Sequence, residues 1–263
     1  MLEVNPTEMR PLRPALTVVM PARNEATRLP GAVERVGGFL AAHGSAELVV
    51  AADVHSHDGT FAIAEARART HPAIRAVPVE RTGKRNALIV GFEAARGRMV
   101  LTADTDLAVD PCEFPRLLRE AGPRVVVTAS RSVAGSRRVG EPIRRYLLGR
   151  AFNVVTRTFI LPGLKDTQCG FKVFPRDAGL ALLRRLSVES WVFDVELLAL
   201  AGRDGFDLVE VPVTWRYGDP SSVRLVRDVP RVVTDLWKVG RELRRTARAG
   251  AVEGDSDKIV SAA

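Results

Sequence analysis

Asp104 and Asp106 are two carboxylates one residue apart, set directly after the apolar run Val100-Leu101-Thr102-Ala103. Read as a buried strand, that run delivers both acids to a strand end, the natural place for a site in an open α/β sheet. Along a strand the i and i+2 side chains share a face, so this spacing predicts that both carboxylates point the same way. Side by side they repel each other unless a cation or hydrogen-bond donors come between them. A hard divalent ion that also holds phosphate oxygens suits such a pair. The same residues equally suit an Asx-rich turn after a strand, where aspartate only supports the backbone. A short motif alone does not decide between the two.

Other chemistry-bearing residues fall at comparable places. Asn24-Glu25 follows the run Leu16 to Met20 after a Pro21-Ala22-Arg23 loop, and Asp53 follows Glu47 to Ala52. Arg131 opens a basic segment that also carries Arg137, Arg138, Arg144, Arg145 and Arg150. Guanidinium groups match phosphate oxygens in a bidentate way, whereas a charge run on a helix is ordinarily a solvated face. Asp166 to Phe174 mixes polar groups with Gly170 just before an apolar strand. Asp194 sits among apolar neighbours in a helical stretch from Trp191 to Leu198, where it could serve as a cap or as a catalyst.

The elements that must position these residues alternate. Strands are expected at 16–20, 47–52, 73–79 and 100–103, with helices from Arg28 to Leu40, Thr60 to Arg69 and Ala87 to Ala95. This is the β-α-β-α-β-α-β pattern of a parallel sheet with helices on both faces. In such a sheet the loops ending at Asn24-Glu25, Asp53 and Asp104-Asp106 lie along one edge. Beyond them come a helix near 115–121, a strand at 124–129 and a late strand at 208–214, whose Pro212 argues for an edge position.

Composition narrows the partners. The 263 residues are 46% hydrophobic, enough for a sizeable core, and carry a net charge of +8, which favours anionic partners. With 10 Phe, 3 Trp and 2 Tyr, base stacking is thinly supplied and nucleic acid is not the expected partner. Cys112 and Cys169 give neither a disulfide framework nor metal-ligand spacing, which fits a reducing cytoplasm. Residues 225–248 place apolar side chains at helical spacing opposite a row of basic ones, with Trp237 nearby. A helix of that kind lies on an anionic membrane surface, packs on the core or binds a partner protein. Residues 1–15 and 249–263 are expected to be flexible.

The motif series resembles the inverting family 2 glycosyltransferases of the GT-A fold. It is carried by Val18 to Glu25, Asp53-x-x-Ser56-x-Asp58-Gly59-Thr60, Gly83-Lys84, Ala95-Arg96-Gly97 and Asp104-Thr105-Asp106. Ser130-Arg131, Asp166 to Lys172, Trp191-x-Phe193-Asp194-x-Glu196-Leu197, Glu210-Val211-Pro212-Val213-x-Trp215 and Ser221-Ser222-Val223 are similar to polyprenyl- or dolichyl-phosphate sugar synthases. Asp166 to Lys172 is most similar to the dolichyl-phosphate glucosyltransferase branch. The resemblance implies a mostly parallel α/β sheet flanked by helices over residues 16–224. It implies hexose transfer, glucose before mannose, from UDP-glucose or GDP-mannose to polyprenyl phosphate.

Roles follow from the resemblance. Pro21, Ala22, Arg23, Asn24, Glu25, Asp53 and Lys84 would hold the nucleotide, with Asp104 beside them. Asp104 and Asp106 would bind Mg²⁺ or Mn²⁺. Arg131, with Arg144 or Arg145, would face the acceptor phosphate, and Asp166 and Gln168 would line the sugar or acceptor side. Arg131 and Asp166 join the two acids as the expected catalytic set. The sequence departs from the family at Asp53-Val54-His55-Ser56, where a second acid and a glycine are usual, at Thr105 and at Ala129. The expected location is cytoplasmic or peripheral on the membrane. A soluble acceptor and a non-catalytic nucleotide-sugar-binding module are the competing readings.

Overall fold

The computed structural model describes residues 15–218 and 231–245. The expected flexible termini, Ser221-Ser222-Val223 and both ends of the predicted C-terminal helix lie outside the described residues.

The first half folds as its apolar runs dictate. Strands β1 (Leu16–Ala22), β2 (Ala46–Asp53), β3 (Ile74–Val79) and β4 (Met99–Thr102) alternate with helices α1 (Leu29–His43), α2 (Thr60–Thr70) and α3 (Lys84–Ala94). β1 and β2 are buried almost throughout, as strands covered on both faces must be. Helix α3 packs close to β1: a Cβ on Gly91 would sit 2.3 Å from Val19 Cγ1, so only glycine admits this approach.

The second half adds α4 (Phe114–Arg119), β5 (Val125–Ser130), β6 (Arg137–Val139), α5 (Ile143–Phe159), β7 (Lys172–Pro175), α6 (Arg176–Arg185), α7 (Phe193–Arg203), β8 (Asp207–Pro212) and β9 (Thr214–Arg216). The seven-stranded sheet runs β3-β2-β1-β4-β7-β5-β8, and β6 pairs with β9 alone. β8 is an edge strand, as Pro212 predicts, since proline cannot donate to a further neighbour. One feature has no counterpart in the sequence pattern: β7 runs antiparallel to both β4 and β5. It therefore enters the sheet at the edge where its parallel neighbours end. That reversal carries residues 166–171 between Asp104 and Arg131.

Residues 231–245 form a helix, labelled α8 here. Val232 and Val239 are buried in the core cluster that covers one face of the sheet, and Leu236 and Leu243 pack against it. Val233 and Trp237 stay exposed. Among the described residues of this segment, core packing accounts for four of the six large apolar side chains.

Candidate functional site

The strand-end loops converge on one cavity of about 730 Å³. Its wall includes Pro21, Ala22, Arg23, Asn24, Glu25, Asp53, Lys84, Asp104, Asp106, Arg131, Arg145 and Gln168, all expected from the sequence. The cavity spans the point where β1 has β2 on one side and β4 on the other, the switch point at which open α/β sheets hold ligands.

The floor of the nucleotide end is a cross-braced pair of loops. Asn24 adopts a left-handed φ of 54°, its Oδ1 accepts the His57 N–H at 2.9 Å, and its own N–H donates to Ser56 Oγ at 3.2 Å. Thr60 Oγ1 accepts from Glu25 N–H at 2.8 Å and donates to Asp58 Oδ1 at 2.6 Å. The turn at 53–56, where the sequence departs from the family, is thus tied to the Asn24 loop through Ser56 Oγ. Asp53 is buried; its Oδ1 accepts the His55 N–H at 2.8 Å, while its Oδ2 has no hydrogen-bond partner. Arg23 Nε lies 3.4 Å from that oxygen, close enough to offset its charge.

The two carboxylates share a side for a different reason than strand pleating. β4 ends at Thr102, so Asp104 and Asp106 lie in a turn. Leu107 N–H donates to Asp104 O at 3.1 Å, Ala108 N–H donates to Asp106 Oδ1 at 3.0 Å, and Leu107 takes a left-handed φ of 41°. Asp106 therefore supports an Asx turn with one oxygen and keeps the other for the cavity. It is accessible through the cavity mouth, but protein surrounds its other sides. That partial burial, and then the Asp104 charge, push its carboxyl above the ordinary range. Lys84 Nζ lies 2.7 Å from Asp104 Oδ1. Burial opposes the lysine charge, but Asp104 and then Asp194 hold its pKa above the usual lysine value.

Gly170 fits against this pair. A Cβ there would meet Asp104 Oδ2 at 2.1 Å, so Gly170→Ala must displace the carboxylate. Misplacement of about 1 Å costs on the order of 100-fold in rate. We expect that loss in kcat, with far-UV circular dichroism unchanged; a Gly170→Ala variant as fast as wild type would mean that Asp104 position is immaterial. Behind Gly170, Lys172 is buried, and its Nζ donates to Asp194 Oδ1 at 2.7 Å and to Cys169 O at 2.6 Å. Asp194 is thus neither a helix cap nor free: it holds a buried lysine at the cavity wall. The sequence signal was a lysine between Phe171 and Val173 in an otherwise apolar strand. Burial pushes the Cys169 thiol up to about 11, so it stays protonated and is no nucleophile.

The basic end is built on Arg131. Its Nε and Nη2 donate to Asp166 Oδ2 at 2.7 Å and Oδ1 at 2.8 Å, and its guanidinium stacks over Trp215 at 5.3 Å. Asp166 is fully buried and does not line the cavity; besides the guanidinium it accepts the N–H groups of Arg131 and Gln168. Burial opposes its charge, yet Arg131 holds its carboxyl below the ordinary range. Glu210 on β8 fixes the loop by accepting the Lys165 and Asp166 N–H groups at 2.7 and 2.9 Å. Asp166 is therefore a positioning residue, against the expectation that it lines the sugar side. Arg144 departs too: it points to solvent on α5, while Arg145 and the unexpected Arg138 line the cavity. Trp191, also unexpected, lines the wall beside Phe152, ring centroids 4.8 Å apart.

Among the described residues, the buried side-chain atoms without a hydrogen-bond partner include Asp53 Oδ2, Gln168 Nε2 and Trp191 Nε1, all from cavity-lining residues. Buried polar atoms are costly to leave unpaired, and three of the four such atoms belong to residues that line the cavity, the fourth being Thr167 Oγ1.

The sequence model of glycosyl transferase family 2 matches residues 17–190. The chain belongs to glycosyl transferase family 2. It is 35% identical to glycosyltransferase AglD of Haloferax volcanii over 95% of its own length, but spans only 42% of that relative. A dolichyl-phosphate beta-glucosyltransferase of Trichomonas vaginalis is 32% identical over 97% of this chain and 79% of the relative. In shape the chain is similar to glucosyl-3-phosphoglycerate synthase from Mycobacterium tuberculosis, solved with Mn²⁺, uridine diphosphate and phosphoglyceric acid. There the TM-score is 0.65 at 22% identity, covering 86% of this chain and 78% of that one. The fold is GT-A, and the protein is a glycosyltransferase.

Proposed function

We propose that this glycosyltransferase moves a hexose, glucose before mannose, from a nucleotide diphosphate sugar to polyprenyl phosphate with inversion at the anomeric carbon. The observation that carries the reading is one cavity with two differently charged ends. Asp104, Asp106 and Lys84 stand where a donor diphosphate would lie, and Arg131, Arg138 and Arg145 where an acceptor phosphate would lie. The names of the relatives, dolichyl-phosphate beta-glucosyltransferases among them, support the acceptor class and the sugar.

Asp104 and Asp106 fit a divalent ion. They are two hard oxygen donors, with burial and then the Asp104 charge holding the Asp106 carboxyl above the ordinary range, and among the described residues no cluster of three or more His, Cys, Asp or Glu side chains could close a shell alone. Mg²⁺ is commonly held by one or two carboxylates plus substrate phosphates. Bound there, Mg²⁺ or Mn²⁺ would offset the charge growing on the departing diphosphate.

The residues supply the rest. Asp53 Oδ2 accepts a base N–H, and the Pro21–Glu25 loop cradles the nucleoside. Lys84 adds positive charge beside the diphosphate. The acceptor phosphate is already an anion, so an oxygen lone pair attacks the anomeric carbon without a general base. The new carbon–oxygen bond forms as the bond to the diphosphate breaks, and the electron pair leaves with the nucleoside diphosphate. Arg131, Arg138 and Arg145 hold the acceptor and offset phosphate–phosphate repulsion. Attack from the face opposite the leaving group turns an α-linked donor into a β-linked product.

Incubation with labelled UDP-glucose or GDP-mannose, with and without polyprenyl phosphate and Mg²⁺, tests this. Label passing into an organic-extractable, β-linked product from UDP-glucose is expected. Label appearing only in water-soluble product would replace the lipid acceptor with a soluble one, and no transfer from either donor would overturn the reading.

A further inference from the structure

Helix α5 is turned inside out. Of its 17 residues, the buried ones are Asn153 and Thr156, whereas Ile143, Leu147, Val154 and Phe159 are 66%, 58%, 57% and 76% exposed. Leu148 and Val155 are exposed as well. At 100° per residue these six side chains fall within an arc of roughly 160°, too broad for the scattered apolar residues of an ordinary surface. Arg150 and Arg157 border that arc, Arg144 lies within it, and all three are exposed. The opposite side of the helix supplies Arg145, Gly149, Phe152 and Asn153 to the cavity wall, and Leu148 stands at the seam.

We propose that the outer face of α5 is the docking surface for an anionic lipid bilayer, laid flat in the interface beside the mouth of the catalytic cavity. Apolar side chains enter the acyl boundary while the arginines reach the headgroups, the arrangement of an interfacial amphipathic helix. Charge selects the bilayer over a second copy of this chain. Two copies meeting through α5 would bring Arg144, Arg150 and Arg157 of each against the other set, whereas anionic headgroups neutralise them. Among the described residues no helix is long and apolar enough to cross a membrane, so contact through an interfacial face is the geometry open to them. The inference rests on the proposed lipid acceptor for its purpose: polyprenyl phosphate held in the bilayer would offer its phosphate past Leu148 toward Arg145 and Arg131. Among the described residues of α8 the exposed large apolar side chains are Val233 and Trp237, a smaller patch than that of α5.

The test is flotation of the full chain with vesicles of phosphatidylcholine, with or without phosphatidylglycerol. Wild type is expected to float with the mixed vesicles and to come off as salt is raised. The triple variant Leu147→Glu/Val154→Glu/Phe159→Glu should bind about tenfold less, with its circular dichroism and Tm unchanged, while Trp237→Glu should retain binding. Transfer to polyprenyl phosphate in vesicles should fall in the triple variant and stay at the wild-type rate in detergent. Wild-type-like flotation of the triple variant overturns the inference. So does light scattering that shows a wild-type dimer with no vesicle binding. If wild type binds through α5 but glycosylates no lipid, the functional reading fails and the docking surface stands. If it glycosylates polyprenyl phosphate with α5 irrelevant to binding, the reverse holds.

Discussion

Asp106→Asn lowers kcat for sugar transfer by about 10²- to 10³-fold, the size seen when one group aimed at developing charge is removed. The substitution is chosen for what it keeps. Asparagine retains an oxygen to accept the Ala108 N–H, so the turn that presents Asp104 survives. The side chain is solvent-accessible at the cavity mouth, and the lost charge is one that Asp104 repels. Stability is therefore expected to stay within about 0.5 kcal/mol of wild type. What disappears is the anionic oxygen free to hold a divalent ion against the donor diphosphate. Two measurements separate this from general damage. Thermal unfolding should be unchanged, and the Mg²⁺ or Mn²⁺ concentration that restores activity after chelation should rise. A variant with wild-type kcat and wild-type metal dependence would remove Asp106 from the site we assign it.

The same pair shows how far the sequence reaches. The location of Asp104 and Asp106 was readable because an apolar run that stops at polar residues marks a strand end. Their shared direction was readable only by accident: the strand stops at Thr102, two residues before Asp104, and a left-handed Leu107 makes the turn. The β1-to-β4 half followed its hydrophobic pattern closely because β1, β2 and β4 are buried almost throughout and each crossover is local. The antiparallel β7 did not show itself. It has four residues, one of them a lysine, and strand direction leaves no trace in composition. With β7 hidden, the Lys172–Asp194 pair was hidden too, since its partners lie 22 positions apart. The sequence reading of the α5 segment rests on its arginines alone, as phosphate ligands or as a solvated basic face, and passes over its apolar residues. Which residues a helix buries depends on what packs against it, and here that is the cavity.

Asp166→Leu is the substitution for which we expect the largest loss of stability, about 3–5 kcal/mol, the usual result of stripping one partner from a buried ion pair. Asp166 is fully buried and Arg131 side chain is 14% exposed, so the stranded guanidinium finds little water. The double variant Arg131→Met/Asp166→Leu should recover much of that loss, because two apolar side chains of similar bulk avoid burying any charge. Recovery stays incomplete: the N–H groups of Arg131 and Gln168 lose their acceptor, at about 1–3 kcal/mol for each that remains dry. Activity should not return at all if Arg131 holds the acceptor phosphate, since methionine offers no donor. Stability and turnover therefore part company in the double variant, and a purely structural ion pair would let both return together. The pH dependence gives an independent check. The folded carboxyl of Asp166 is held below its unfolded value of about 3.9, so its contribution is fully present above that pH and fades as pH falls through the folded pKa. Urea unfolding of wild type and double variant should thus differ by a constant amount near neutrality and converge below about pH 4. Curves that run parallel into acid would show that Asp166 titrates alike in both states and that the pair does not hold the loop.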